Sequence, residues 1–179
     1  MIRRARAEDA EAIARIKLAT WRTTYAPILD PEFLANLTLE GVADDWRRRI
    51  EAEDVIFVEE EDATVRGYAL WIALPIDDWP HKNMLAALYV DPAAQGQGVG
   101  KRLMATCATW AISAGHTGMM ISAFEQNLLA LNLYRSLGAR DVRKGTYEVD
   151  GRGYPDILLA FDDLVTLSRV GSAERKSAP

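Results

Sequence analysis

The residues from Met84 to Met104 restrict this chain more than any other stretch. They open with Met84-Leu-Ala-Ala-Leu-Tyr-Val90, an apolar run suited to a buried strand. Asp91-Pro92 ends that run, because proline donates no ladder hydrogen bond and biases the preceding residue away from helix. Glycines then hold alternate positions, Gly96, Gly98 and Gly100, and lead into a helical pattern that starts near Gly98 or Val99. A strand, a glycine turn and a helix amino end in succession aim several unpaired main-chain N–H groups at one point. The helix dipole adds positive potential there, and the missing side chains let an anion approach the backbone. The segment reads as a phosphate cradle.

Spacing decides what kind of cradle. A P-loop needs glycine, four residues, then Gly-Lys-Ser/Thr. Here Gly100-Lys101 is followed by Arg102, and the position five before Gly100 is Gln95. The hydroxyl that would hold magnesium is absent. The dinucleotide fingerprint Gly-x-Gly-x-x-Gly requires glycine where Lys101 stands. Neither nucleotide pattern is met.

Composition sets outer bounds. A chain of 179 residues with 49% hydrophobic content fits one domain with a proper core. A net charge of −5 argues against nonspecific nucleic-acid binding and mildly favours a cationic or amine partner. No apolar run reaches membrane-spanning length, and the amino terminus, Met-Ile-Arg-Arg, has no apolar signal core. The lone cysteine, Cys107, excludes an intrachain disulfide and suits the cytoplasm; it falls on the apolar face of the helix after the cradle, as a buried thiol would. His81 and His116 are the only histidines, and no metal site is expected.

In chain order, Ile2–Arg6 reads as a short strand and Glu8–Thr24 as a helix with acids in its first turn. A second helical stretch is expected from about Pro31 to Glu53; its basic triplet Arg47–Arg49 suits a solvated face. Residues 55–61 and 65–74 form a predicted hairpin, and a loop over 75–82 leads to the central strand. The helix after the cradle runs to Gly115, a natural C-cap. A strand over 119–124 and a helix over about 126–137 follow. Residues 140–149 and 154–161 flank Asp150-Gly151, a strong hairpin signal. The sum is a mixed α/β (α+β) single domain over 1–161, with a mostly antiparallel sheet, and 162–179 as a tail expected to fray.

Two motifs now combine. After the strand ending Leu88-Tyr-Val-Asp-Pro92, Gln95-x-x-Gly98-x-Gly100 resembles the pyrophosphate-binding motif of the GNAT superfamily of acyl-CoA-dependent N-acetyltransferases. Asn127-Leu-Leu-Ala-Leu-Asn-Leu-Tyr-Arg-Ser-Leu-Gly138 resembles its second signature. Helical spacing puts Asn127, Ala130, Leu131 and Tyr134 on one face. Taken alone, Tyr134 reads equally as packing and Asn127 as a helix cap.

The resemblance spans roughly residues 1 to 161 and implies a sheet splayed between its fourth and fifth strands. It implies acetyl-CoA as cosubstrate, with the pantetheine arm in the splay. Leu88 N–H would hold the thioester carbonyl and Val90 would pair with pantetheine. Gly96, Gln97, Gly98, Val99, Gly100 and Lys101 would offer main-chain amides to the pyrophosphate, braced by Gln95. Asn127 and Tyr134 complete the donor site, Tyr134 as general acid to the leaving thiolate.

The implied activity is acetyl transfer to a primary amine of a small molecule, peptide or protein by direct attack in a ternary complex. The alternative from another class is a non-catalytic acyl-CoA sensor. A homodimer is common in the family. No carboxylate occupies Met84-Leu-Ala-Ala87, where many relatives carry the base, so Glu125 becomes the nearest acid by chain order, or a helix-cap charge. Asp77, Asp78, His81 and a water relay stay open as alternatives. Trp21, Tyr25 and Trp79 are the candidate acceptor lining, where aromatics would hold an ammonium; Trp21 and Tyr25 read equally as packing.

Overall fold

Strand patterns with one buried face pair into a single seven-stranded sheet in the computed structural model, which describes residues 1–74 and 76–171. The strands are β1 (Ile2–Arg4), β2 (Val55–Glu61), β3 (Thr64–Ala73), β4 (Asn83–Val90), β5 (Met119–Phe124), β6 (Arg140–Val149) and β7 (Arg152–Phe161). They lie in the order β1-β2-β3-β4-β5-β7-β6. Every neighbouring pair is antiparallel except β4 and β5. The expected mixed, mostly antiparallel sheet is therefore the one observed. Of the tail expected over 162–179, residues 172–179 lie outside the described residues, and the part before them packs instead of fraying.

Helices cover both faces because each presents an apolar stripe. α1 (Ala10–Thr24) and α3 (Leu39–Glu51) bury Ile13, Ile16, Val42 and Trp46 against Ile56, Val58, Tyr68 and Leu70. α4 (Val99–Ser113) and α5 (Leu128–Ser136) cover the opposite face with Val99, Leu103, Cys107, Leu131 and Tyr134. Between α1 and α3, α2 (Pro31–Asn36) contributes Leu34 to a cluster with Leu29, Phe124 and Val149. The single helix expected over 31–53 is in fact two. Thr38 leaves helical geometry and caps α3 by accepting from Gly41 N–H, and a hydroxyl at that spot satisfies an amide that would otherwise be orphaned. Packing continues past Phe161: α6 (Leu164–Leu167) buries Leu164 and Leu167 in the α4 core.

Two features of the sheet position the site. The β4–β5 pairing consists of Met84 with Met120 and Leu85 with Ile121, after which the strands part. The parting begins at Ala86, the extra residue where the β3–β4 register shifts between Leu70/Ala87 and Trp71/Leu85. A bulge of this kind bends its strand and increases its twist. The second feature is Gly67 on β3. A Cβ there would lie 2.8 Å from Val99 Cγ1 and 2.9 Å from the Tyr89 carbonyl oxygen, so glycine lets the amino end of α4 press onto the sheet.

Candidate active site

The hydrogen-bond alternation of an antiparallel ladder shows where the free backbone of β4 points. Asp91 N–H donates to the Arg66 carbonyl at 2.9 Å. By alternation Tyr89 faces β3, while Leu88 and Val90 turn their N–H and C=O groups away from it. They turn toward β5, which has already diverged. The Val90 carbonyl confirms the direction, since Gln95 Nε2 reaches it from outside the ladder at 3.4 Å. An extended chain entering the gap would find a strand edge ready to pair.

At the wide end of this gap sits the glycine turn. Gly98 is the N-cap of α4 with φ 77° and offers no side-chain cap, so the first amides of the helix face outward. A groove of about 420 Å³ runs from them past Leu88 and Val90 to Tyr134, with Gln95, Gly96, Gly98, Gly100, Lys101 and Asn127 along it. Gln97 alone among the expected cradle residues turns its side chain away, to Arg66 and to the Ala93 carbonyl, leaving its main chain to the loop. Asn127 caps α5 by accepting from Ala130 N–H at 3.2 Å and also lines the groove. Tyr134 is buried, and burial holds its phenol well above the ordinary range.

Sequence reasoning missed Thr20 and Tyr89. Thr20 Oγ1 is buried on the groove wall without a hydrogen-bond partner among the described residues. A polar atom left in this way fits a site built for a ligand with amide and carbonyl groups, as pantetheine has. The residues present therefore fit coenzyme A: main-chain donors at the diphosphate end, a free strand edge in the middle and an orphaned hydroxyl beside it.

A second cavity of about 400 Å³ opens on the α1 face of the sheet and shares Tyr25 and Tyr89 with the groove. Trp21, Tyr25 and Trp79, the three expected acceptor residues, all line it. Trp21 Nε1–H donates to Tyr89 Oη at 3.0 Å, and Tyr25 stands edge-on to Phe124 with ring centres 5.2 Å apart. Burial raises the Tyr25 phenol, against the opposing pull of hydrogen bonds with Tyr89 and Asn127.

The base candidates fall elsewhere. Glu125 pairs with Lys144 and lines neither cavity. Asp77 is tied to Lys82 at 2.8 Å and His81 to Asp162 at 2.7 Å, and Asp78 lines neither cavity. The carboxylate in the second cavity is Asp156 of β7, whose pKa is raised by burial, with Arg143 opposing. The one available sequence signal was an acid inside the apolar run Tyr154-Pro-Asp-Ile-Leu-Leu159. Among the described residues no group of His, Cys, Asp and Glu is arranged to hold a metal, and no helix is long and apolar enough to cross a membrane.

A divided sheet with an open glycine turn at one end of the gap and an aromatic cavity on its other face has the parts that an acyl-CoA-dependent transferase needs. Comparison with known proteins agrees: the model of the Acetyltransferase (GNAT) family matches residues 13–139, and the chain belongs to that family. It is an N-acetyltransferase that uses acetyl-CoA. It is similar to the uncharacterized N-acetyltransferase YuaI of Bacillus subtilis, 27% identical over 93% of this chain and 95% of that one. It is 31% identical to the peptidyl-lysine N-acetyltransferase YjaB of Salmonella typhimurium, over 88% of this chain and 94% of that one. Among solved structures, Salmonella typhimurium YncA with acetyl-CoA shares the fold at a TM-score of 0.67 and 23% identity, covering 90% of this chain and 92% of that one.

Proposed function

We propose that the enzyme acetylates a primary amine of a small molecule, peptide or protein by direct attack on acetyl-CoA, with donor and acceptor bound together. The meeting of the two cavities at Tyr25 and Tyr89, beside the unpaired edge of β4, carries this reading. A donor laid along the groove brings its thioester end to the point where an acceptor from the aromatic cavity arrives. In this reading the Leu88 N–H polarises the thioester carbonyl. It does so from a fixed position in a strand, without reorganisation at the moment of attack. Tyr134 supplies a proton to the departing sulfur, and the amides from Gly96 to Lys101 hold the diphosphate.

Direct attack is favoured over an acyl-enzyme because the only cysteine, Cys107, lies fully buried in the α4 core. Burial pushes its thiol up to about 12, far from a reactive thiolate. Initial rates with both substrates varied test the order of events. Intersecting double-reciprocal lines are expected. Parallel lines, together with an acetylated protein seen by mass spectrometry when the amine is withheld, would overturn the ternary complex.

A further inference from the structure

The acceptor cavity contains two charged side chains of opposite sign that the reading above leaves unused. The β5–β7–β6 register sets them in adjacent rows on one face. Phe124, Asp156 and Gly145 stand side by side in one row; Ser122, Leu158 and Arg143 stand side by side in the next. All six line the aromatic cavity. Diagonal neighbours in a ladder have Cβ atoms about 7 Å apart, so Asp156 and Arg143 face the same space from separate points.

Neither is satisfied by the protein. The Asp156 carboxylate makes no hydrogen bond or ion pair with another described residue, although the residue is only partly exposed. Gly145 gives it its place, because a Cβ there would come 2.8 Å from Asp156 Oδ1. Arg143 makes no ion pair within 4 Å among the described residues and acts on Asp156 only through space; its guanidinium lies 5.8 Å from the Trp79 ring centre, on the cavity wall. The part-buried carboxylate and the exposed guanidinium thus stand ready on one cavity, and a ligand of complementary charges would pair both and relieve the desolvation of Asp156. The aromatic wall of Trp21, Tyr25 and Tyr147 leaves room for an apolar body between them.

We propose that Arg143 and Asp156 form a two-point site for a small amino carboxylate with an apolar side chain, Arg143 gripping the carboxylate and Asp156 holding the ammonium and taking its proton. The proposal rests on the N-acetyltransfer reading and narrows its acceptor. The ammonium gives one proton to Asp156, which returns it to solvent through the cavity mouth. The freed nitrogen pair bonds to the thioester carbonyl carbon and the C–S bond breaks with its pair on sulfur. The adduct's second nitrogen proton is lost as one proton reaches sulfur by way of Tyr134. The products are the amide, the coenzyme thiol and one proton.

Thiol release is measured with L-methionine and L-phenylalanine, with their amides, with 3-(methylthio)propylamine and phenethylamine, and with a lysine peptide blocked at both ends. The amino acids are expected to be the better acceptors. Arg143→Gln should lower kcat/KM for them by roughly 10- to 100-fold, as loss of a charge-assisted hydrogen bond would, while leaving the decarboxylated amines unchanged. Asp156→Asn, which keeps the shape, should lower kcat for both kinds of amine by roughly 100-fold. Equal use of amino acids and their decarboxylated counterparts, preference for the blocked peptide, or a uniform effect of Arg143→Gln would overturn this site while N-acetyltransfer stands. An unchanged kcat in Asp156→Asn would remove Asp156 from the chemistry. No release with any amine, from protein that still binds coenzyme A, would bring down the transfer reading as well.

Discussion

Gly67→Ala tests how the cradle is held. Alanine has the better intrinsic fit to a strand and should stabilise a β position by about 0.5–1 kcal/mol if space allowed. Space does not allow it. The new methyl would meet Val99 Cγ1 at 2.8 Å, the Tyr89 carbonyl at 2.9 Å and Leu103 Cδ1 at 3.2 Å. The Tyr89 oxygen belongs to the β4 backbone, and Val99 and Leu103 are buried to within 1%. None of these atoms can swing into solvent, so the amino end of α4 must lift by a few tenths of an ångström. Overpacking of this kind costs about 1–3 kcal/mol. In a domain of this size that is a fall in Tm of roughly 2–12 °C. The same lift moves the outward amides of Val99 and Gly100 away from where the diphosphate is proposed to lie, so calorimetry should show weaker binding of coenzyme A. Unchanged melting and unchanged affinity would refute the claim that Gly67 sets the height of the cradle.

Gly100→Glu separates folding from binding. The position lies in the first helical turn, where an acid favours the dipole, and Gly100→Ala meets nothing closer than Val90 Cγ2 at 3.6 Å. Melting should hold or rise in Gly100→Glu while coenzyme A affinity is lost; retained affinity would remove the diphosphate from this loop. Tyr134→Phe should lower kcat by about 10-fold or more with little change in acetyl-CoA affinity, seen by comparing steady-state rates with calorimetry; an unchanged kcat would leave Tyr134 a packing residue.

Asp9 predicts a pH dependence of stability. Burial opposes its ionisation most strongly, but the paired bonds from Arg3 at 2.7 and 2.9 Å and the Arg6 N–H outweigh it and hold the carboxyl below its ordinary value. A depressed carboxylate contributes stability that is present above the unfolded pKa of about 3.9 and is lost as pH falls through the folded value. Unfolding free energy measured in denaturant should therefore drop below about pH 4, and the drop should be shallower in Asp9→Asn. Equal slopes would remove Asp9 as the cause.

The lining of the groove was legible because most of its parts are contiguous. The turn from Gln95 to Lys101 takes its place on the groove from local turn and helix geometry, and the helix period alone brings Asn127 to the face of Tyr134. The break at Thr38 was harder to read, since a lone hydroxyl between two apolar-periodic stretches becomes a cap only when the chain bends there. Glu125 shows the limit of chain order: one residue beyond β5, it turns out to Lys144 instead of inward.

The chain order gave the aromatic lining of the second cavity, Trp21, Tyr25 and Trp79, but not its charges. Asp156 and Arg143 belong to the last hairpin, Trp21 and Tyr25 to the first helix and its end, and the β5–β7–β6 order brings them to one cavity. Period 2 fixes that Asp156 and Leu158 share a face and the hairpin sets β6 on one side, but neither shows that β5 lies on the other or which helix closes over them. A backbone anion site is written in consecutive residues because its donors are consecutive. A side-chain cavity is scattered along the chain: the last hairpin sets Arg143 near Asp156, but only the β5–β7 pairing and the packing of the first helix bring that pair to the same cavity as Trp21 and Tyr25.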